Sequence, residues 1–253
     1  ILLGLDAPTT GQCFILGADS QSLTPEMRGR IGYVNEEHTL PNWMTAAEVT
    51  QMQRNLYPNW QQAIYDEVIG HFNVQPEQKV AQLSRGERAG LNLSMALAQA
   101  PEILILDEPT LGLDVVAKQA FLEALMYTET DLNTTIIYCS HQMEEIERVA
   151  ENLIIVEDGH VKYMASPDDF CERIQYWIFD ANPELVAKLD SRNLLNIKLI
   201  EDQHHVITID SPSDFQAYLA EQGVTNLIQA PVSLEKAISA VLAKNHRAPS
   251  KAA

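Results

Sequence analysis

The sequence has few basic residues and no long apolar run. It contains 17 lysines and arginines against 35 aspartates and glutamates, which gives a formal net charge of −18. A general nucleic-acid binder needs a basic face, so this charge balance argues against that class of protein. No apolar stretch in the sequence approaches the roughly 20 residues that a membrane-spanning helix requires.

Cysteine is also scarce. Cys13, Cys139 and Cys171 are widely separated and odd in number, and Cys139 lies within an apolar run. This pattern does not suit a disulfide framework, and we expect reduced, structural cysteines in a cytosolic protein. No signal peptide is recognisable, and the first residue is not methionine, so we expect that the natural chain begins earlier.

A glycine-rich phosphate loop of the form G-x-x-x-x-G-K-[S/T] does not occur in the 253 residues. Such a loop normally holds the phosphates of a nucleotide through backbone N–H groups and a lysine. A small anion site built from other backbone N–H groups remains compatible with the acidic composition.

Apolar runs and amphipathic patterns alternate along the first 165 residues. They predict strands at residues 13–16, 30–34, 103–107, 135–139 and 153–157, and helices at 115–127 and from residue 142. Residues 44–100 are predicted to be mostly helical, with breaks at Pro58 and Pro76. Wholly apolar strands that alternate with helices are typical of a parallel sheet covered on both faces, so the predicted fold class is α/β.

A smaller region follows Pro167. Asp158-Gly159 predicts a hairpin turn before it. Residues 173–253 then alternate short strands, such as 195–200 and 206–209, with helices near 183–190, 212–222 and 233–244. We predict a first domain at residues 1–169, with a helical subdomain at 44–100. An accessory α/β region would occupy residues 170–253, with a disordered tail from residue 245.

Polar side chains follow three of the predicted strands. Asp107 and Glu108 come after one strand, His141 after the next, and Glu36 after residues 31–34. Ligands of open α/β sheets bind beyond the carboxyl ends of the strands, so we expect these groups to share one site. One carboxylate can hold Mg²⁺ and the other can activate a water molecule. An ordinary strand-to-turn junction and a helix-capping histidine stay open as alternatives.

Two further segments precede predicted helices. Ser84-x-x-Glu87 fits a capping box, and Gly86 at the same helix N-terminus would let an anion approach closely. Both interpretations can hold together. Gly112-Leu113-Asp114 predicts a tight turn, with Asp114 as the N-cap of the next helix. A cap without any further role is the alternative for Asp114.

Taken together, these segments resemble the motifs of the ATP-binding cassette (ABC) ATPases over residues 1–165. Leu83-Ser84-Arg85-Gly86-Glu87 is similar to the family signature LSGGQ, and residues 103–109 are similar to Walker B followed by the catalytic glutamate. Gly112-Leu113-Asp114 resembles the D-loop, and His141 resembles the switch histidine. Pro8-Thr9-Thr10-Gly11 resembles the turn after the first helix of the nucleotide core. The resemblance implies a P-loop NTPase-type parallel sheet core, incomplete without the Walker A loop and its strand, beside a helical subdomain.

The resemblance also implies residue roles in ATP hydrolysis. Asp107 would bind Mg²⁺ through water, Glu108 would polarise the attacking water, and His141 would contact the γ-phosphate. Glu36 stands where the family has the Q-loop glutamine. Its carboxylate can still bind Mg²⁺ or water, but it cannot donate a hydrogen bond when it is ionised.

The remaining implied roles concern a dimer. The signature residues Ser84, Arg85, Gly86 and Glu87 would face ATP held by a second subunit, although Arg85 and Glu87 depart from the family pattern. Asp114 would link the two sites across the dimer.

The function implied by the resemblance is that of the ATPase subunit of an ABC transporter, with ATP and Mg²⁺ as cofactors. Its partners would be a second ATPase subunit and a separate membrane subunit, with no nucleic acid, at the cytoplasmic face of the membrane. Trp43, Tyr57 and Trp60 are candidate anchors for the membrane subunit. The alternatives are a cassette without nucleotide binding of its own and a soluble ABC protein outside transport.

Overall fold

The computed structural model describes residues 1–129, 134–180, 193–211 and 215–245. These residues belong to two compact units, Ile1–His141 and Gln142–Ala253. The boundary between the two units, after His141, lies before residue 169, where we predicted that the ATPase domain ends. That predicted end of the ATPase domain stays a prediction.

The first unit combines a small parallel sheet with a group of helices. In chain order its elements are β1 (Phe14–Ile15), β2 (Ala18–Asp19), α1 (Pro25–Arg28), β3 (Ile31–Val34), α2 (Ala46–Leu56), α3 (Gln62–Ile69), α4 (Arg85–Ala98), β4 (Ile103–Asp107), α5 (Val115–Glu129) and β5 (Thr135–Cys139). Strands β3, β4 and β5 pair in parallel with β4 in the middle. The mixed α/β fold with a parallel sheet is therefore confirmed.

The central strand β4 is covered on both faces. Leu104 and Leu106 are fully buried against Phe121 of α5 and Leu97 of α4. Ile105 faces the other way and packs in a second cluster with residues of β1 and β3. Adjacent strand residues point to opposite faces, so a wholly apolar strand such as β4 fits a sheet that is buried on both sides.

Capping residues fix where the two main helices of the predicted helical subdomain begin. At α2, the Thr45 side chain accepts from the Glu48 N–H, and the Glu48 carboxylate accepts from the Thr45 N–H. The same reciprocal pair opens α4 at Ser84 and Glu87. Each such box satisfies two N–H groups that the helix leaves unpaired. The prediction of a capping box at Ser84 is confirmed.

The second unit contains a hairpin and a four-stranded sheet. Its elements are α6 (Met143–Val149), β6 (Leu153–Glu157), β7 (His160–Ala165), α7 (Pro167–Glu172), β8 (Ile174–Asp180), β9 (Leu194–Ile200), β10 (Gln203–Ile209), α8 (Phe215–Glu221), β11 (Thr225–Ala230) and α9 (Leu234–Asn245). Strands β6 and β7 pair across Asp158 and Gly159, whose φ values are +49° and +73°. Two successive positive φ angles are typical of a type I′ turn, so the predicted hairpin is confirmed.

The four-stranded sheet is antiparallel, in the order β11-β8-β10-β9. One face packs Trp177 and Phe179 against Leu219 of α8. On α9, the Lys236 ammonium lies 3.2 Å from the centroid of the Tyr176 ring. The predicted helix at residues 183–190 and the predicted disordered tail lie outside the described residues, apart from the last residue of α9.

No helix in the part of the chain that the structure describes is long and apolar enough to cross a membrane. Cys13, Cys139 and Cys171 are unpaired. Cys139 ends strand β5 as predicted from the apolar run, but the structure leaves its side chain exposed.

Candidate functional site

The carboxyl ends of β4 and β5 lie side by side. Asp107, the last residue of β4, is exposed and pairs in register with Cys139 of β5. The next residue, Glu108, has a φ of +48°, and its N–H donates to the Cys139 carbonyl at 2.9 Å. A positive φ is uncommon for a residue other than glycine. The chain therefore leaves β4 with a left-handed backbone conformation at Glu108, and the hydrogen bond to Cys139 holds this residue against β5.

This turn brings Glu108 and His141 together. The Nδ1 atom of His141 lies 2.9 Å from the Oε2 atom of Glu108. The His141 side chain is 63% exposed and that of Glu108 is 25% exposed, so a ligand can reach both groups from outside. An ionised carboxylate only accepts hydrogen bonds, so Nδ1 must carry the proton in this contact. The sequence-based prediction that these two residues share a site is consistent with this geometry.

Glu36 lies beyond the end of β3 and contacts a different residue. Its carbonyl oxygen accepts from the Arg85 guanidinium at 3.3 Å, and its carboxylate lies 3.9 Å from the same group. Both side chains are about half exposed, so an ion pair of this kind contributes roughly 0–1 kcal/mol. Two residues that depart from the family motifs, at the signature and at the Q-loop position, are therefore in contact.

The residues of the predicted signature segment, residues 83–87, perform structural tasks. The Ser84 hydroxyl accepts from the Glu87 N–H at 3.2 Å, and the Glu87 carboxylate accepts from the Ser84 N–H at 2.7 Å. Gly86 packs closely on α5, because an added Cβ would lie 2.6 Å from the Cβ of Ala117. The N-terminus of α4 is thus capped and packed against α5, whether or not it also binds an anion.

The turn at residues 112–114 also contacts the signature segment. Gly112 has a φ of +74°, and an added Cβ there would lie 3.0 Å from the Cζ of Arg85. Asp114 caps α5 as predicted, since its Oδ1 atom accepts from the N–H groups of Val116 and Ala117 at 2.9 Å each. The glycine therefore leaves room for the guanidinium of Arg85.

His38 is a residue of the site that sequence reasoning missed. Its side chain is fully buried, and its Nε2 atom lies 2.8 Å from the Pro109 carbonyl oxygen. Burial lowers the pKa of His38 to about 4, and the positive charges of Arg85 and Arg88 act in the same direction. No motif marks a histidine in a polar turn, so only the tertiary structure could identify it.

The carboxylates at the sheet edge suit a magnesium ion that phosphate oxygens also coordinate. In residues 1–129, 134–180, 193–211 and 215–245, no group of three or more histidine, cysteine, aspartate or glutamate side chains could hold a metal ion by itself. Protein Mg²⁺ sites commonly use one or two carboxylates together with phosphate oxygens and water. The exposed carboxylates of Asp107 and Glu36 fit that pattern better than they fit a closed site made of protein ligands alone.

The three candidate anchors for a membrane subunit differ in exposure. Trp43 is 77% exposed and lines a groove on α2 together with Met44 and Met52. Trp60 packs instead in a core cluster, with its ring centroid 5.7 Å from that of Tyr65, and its Nε1–H donates to the side chain of Gln62. Tyr57 is partly buried at the end of α2.

Comparison with known proteins gives the family. Residues 1–111 match the sequence model described as ABC transporter. Over these residues the chain is similar to ABC transporter ATP-binding domains. Residues 8–11, 83–87 and 103–109, three of the segments that resemble family motifs, lie within the matched range. The Glu108–His141 pair lies at the ends of adjacent parallel strands.

Curated relatives of this ABC domain are similar over most of the chain. The ABC transporter ATP-binding protein YtrB of Bacillus subtilis (strain 168) is 24% identical over 218 residues, which cover 84% of this chain and 73% of YtrB. The molybdenum import ATP-binding protein ModC of Escherichia coli (strain K12) is 26% identical over 212 residues, which cover 80% of this chain. The matched part is 57% of the length of ModC, so the chain spans little more than half of that relative.

Solved structures agree on the fold. An ATP-binding subunit of an ABC transporter superimposes with a TM-score of 0.60 at 24% identity, covering 68% of this chain and 73% of that one. A dimeric ATP-binding cassette bound to ADP and Pi gives a TM-score of 0.54 at 24% identity, covering 64% of this chain and 76% of that one. These ABC structures show the same α/β fold.

Proposed function

We propose that this chain acts as the ATP-hydrolysing subunit of an ABC transporter and powers transport through a separate membrane subunit. The observation that carries the proposal is the contact between Glu108 and His141, 2.9 Å apart at the ends of two adjacent parallel strands. A carboxylate with a histidine partner beside an exposed strand edge can position and deprotonate water. The match of residues 1–111 to the ABC transporter family supports ATP hydrolysis as the reaction.

When they are bound, ATP supplies the phosphoryl group that water attacks and Mg²⁺ neutralises charge on its phosphates. Glu108 orients the water and accepts its proton. Asp107 and Glu36 supply oxygen ligands for Mg²⁺ or its waters. His141 keeps the carboxylate of Glu108 in place through Nδ1–H and presents its other ring nitrogen at the exposed edge.

The signature segment, residues 83–87, serves the site of a second subunit in this proposal. The N-terminus of α4 carries a partial positive charge that favours an anion such as the γ-phosphate. Arg85, which is about half exposed, adds a full positive charge at the same end of the helix. The dimeric ABC cassette bound to ADP and Pi, which has the same fold, supports this arrangement. Asp114 would lie at the junction of the two subunits.

The groove on α2 is the proposed docking surface for the membrane subunit. Trp43 is 77% exposed there, and aromatic side chains are enriched among the residues that dominate binding energy at interfaces. Trp60 is a weaker anchor in this proposal because its ring is partly buried against a core cluster. The subunit would thus be held at the cytoplasmic face of the membrane through its partner.

The substitution Glu108→Gln tests the ATPase proposal in the complete protein, assembled with its membrane subunit. The amide cannot accept a proton from water, so we expect hydrolysis to be lost while nucleotide binding remains. Glu77→Gln makes the same chemical change at an exposed position of the helical region and should hydrolyse ATP normally. Near-normal turnover in Glu108→Gln would remove Glu108 from this role.

One observation favours a second candidate function. The 253 residues contain no glycine-rich loop ending in Lys and Ser or Thr. A chain without that loop lacks the usual grip on the β- and γ-phosphates. In this case the chain would be a non-catalytic cassette that contributes only its signature segment and its docking surface.

A further inference from the structure

His38 joins two turns that carry proposed catalytic groups. Its own N–H donates to the Asn35 carbonyl at 3.2 Å, which closes the turn that contains Glu36. Its ring is fully buried, and Nε2 lies 2.8 Å from the carbonyl oxygen of Pro109, the residue after Glu108. A single side chain therefore links the turn after β3 to the turn after β4.

The turn after β4 requires such support. Glu108 has a φ of +48° and is followed by proline, which further restricts the backbone of the residue before it. A conformation of this kind persists only where the surroundings hold it. Two backbone hydrogen bonds do so, from Glu108 N–H to Cys139 and from Leu111 N–H to the Glu108 carbonyl, at 2.9 and 3.1 Å. The bond from His38 to Pro109 is a third, made by a side chain.

The chemistry of the ring identifies hydrogen-bond donation as its task. A carbonyl oxygen only accepts, so Nε2 carries the proton in a neutral ring, and Nδ1 then has only a lone pair. Nδ1 is buried and has no hydrogen-bond partner within the described residues. A buried polar atom without a partner is unfavourable, so an apolar side chain would fill this space at lower cost. What an apolar side chain cannot provide is the donor to Pro109.

We propose that His38 is a positioning residue of the ATPase site, which fixes the Glu108 turn relative to the Glu36 turn through its hydrogen bond to Pro109. The inference rests on the proposed function of Glu108. His38 touches neither water nor nucleotide in this role. It acts by keeping the carboxylate of Glu108 beside His141.

Two substitutions of similar size isolate the donor. His38→Leu keeps an unbranched-Cβ, apolar side chain and removes the hydrogen bond, whereas His38→Gln keeps an N–H donor at about the reach of Nε2. Both face the same backbone constraint, since His38 has a φ of +47°. The difference between the two variants therefore reports on the hydrogen bond and not on the backbone or on the loss of the ring.

The first measurement needs no turnover and uses the chain itself. Amide hydrogen exchange at Leu111 and Glu108 should become faster in His38→Leu than in His38→Gln, by about tenfold if one hydrogen bond of ordinary strength holds the turn. Exchange at Val68, a buried residue of α3, serves as the internal reference for global stability. Equal exchange at the turn in the two folded variants would overturn the inference.

The second measurement is ATP hydrolysis by the assembled transporter. We expect kcat to fall by about tenfold in His38→Leu, with KM for ATP changed less than about twofold, and His38→Gln to recover most of the loss. A purely structural role would lower the amount of folded protein without changing kcat per folded molecule. That result, or a His38→Gln variant as slow as His38→Leu, would contradict a positioning role.

The Glu108→Gln variant separates the two proposals. If Glu108→Gln abolishes hydrolysis and His38→Leu does not slow it, the positioning role fails and the ATPase proposal stands. If Glu108→Gln hydrolyses ATP normally, the proposed function fails, and the exchange measurement still decides whether His38 holds the turn.

Discussion

The Nδ1 atom of His141 donates a hydrogen bond to the Oε2 atom of Glu108 over 2.9 Å. A neutral imidazole that donates from Nδ1 has only a lone pair on Nε2, so it cannot at the same time donate to a phosphate oxygen. His141 can contact both Glu108 and a phosphate as a donor only when the ring holds two protons.

The buried His38 predicts how stability depends on pH. Burial lowers its pKa from the ordinary value of 6.5 to about 4. Between these pH values the unfolded chain takes up a proton at His38 that the folded chain does not. The contribution of His38 to stability is therefore fully present above pH 6.5 and declines as the pH falls towards 4. His38 should therefore lower the free energy of unfolding by about 2 kcal/mol between pH 7 and pH 5. Urea unfolding at the two pH values measures this change.

The variant His38→Gln is the control for this prediction, since glutamine does not titrate. Its stability should fall less than that of the unmodified chain over the same interval, by the contribution of His38. Parallel declines in the two proteins would show that other groups cause the acid sensitivity.

The contact between Gly86 and Ala117 predicts a reciprocal pair of substitutions. A Cβ on Gly86 would lie 2.6 Å from the Cβ of Ala117, so Gly86→Ala should destabilise the chain by about 1–3 kcal/mol, despite the better helix propensity of alanine. The double variant Gly86→Ala/Ala117→Gly removes the opposing Cβ and should therefore recover part of the lost stability. Thermal unfolding of the four members of the double-mutant cycle measures the coupling.

Ala117→Gly alone provides the reference, because it costs about 1 kcal/mol of helix propensity in α5. If the effects of the two substitutions simply add, α4 and α5 do not approach as closely as the structure indicates.

The absence of a phosphate loop within the 253 residues predicts weak nucleotide binding by this chain alone. Neither the backbone N–H groups nor the lysine that normally hold the β- and γ-phosphates are available. Calorimetric titration with MgATP should therefore show no binding in the micromolar range. Micromolar affinity would mean that other groups, such as Arg85 and the N-terminus of α4, are sufficient to hold the phosphates without a phosphate loop.

Sequence patterns were sufficient for most of the secondary structure. The apolar runs placed β4 and β5 at their observed bounds, and Ser84-x-x-Glu87 located the start of α4. These features are local, because strand burial and helix capping depend on residues only a few positions apart. The strands β8 and β11, by contrast, were not located individually; β11, for example, has no buried residue and so lacks the apolar run that marked β4.

The relation between the candidate site residues was predicted only in part. Parallel strands bring their carboxyl ends to one edge, and this rule correctly suggested that Glu108 and His141 would be neighbours. The rule gave no reason for Glu36 to contact Arg85, which lies 49 residues away. It also gave no reason to notice His38.

The amino-acid sequence was enough to establish the resemblance to ABC ATPases, the order of most strands and helices in the first 165 residues, and the identity of the polar groups at the strand ends, because these depend on local patterns and on motifs read in order. Which of those groups touch became apparent only from the folded chain. The left-handed turn at Glu108, the burial of His38 against Pro109 and the fit of Arg85 beside Gly112 each depend on segments that are distant in sequence. Packing brings such segments together, and no local pattern records the result.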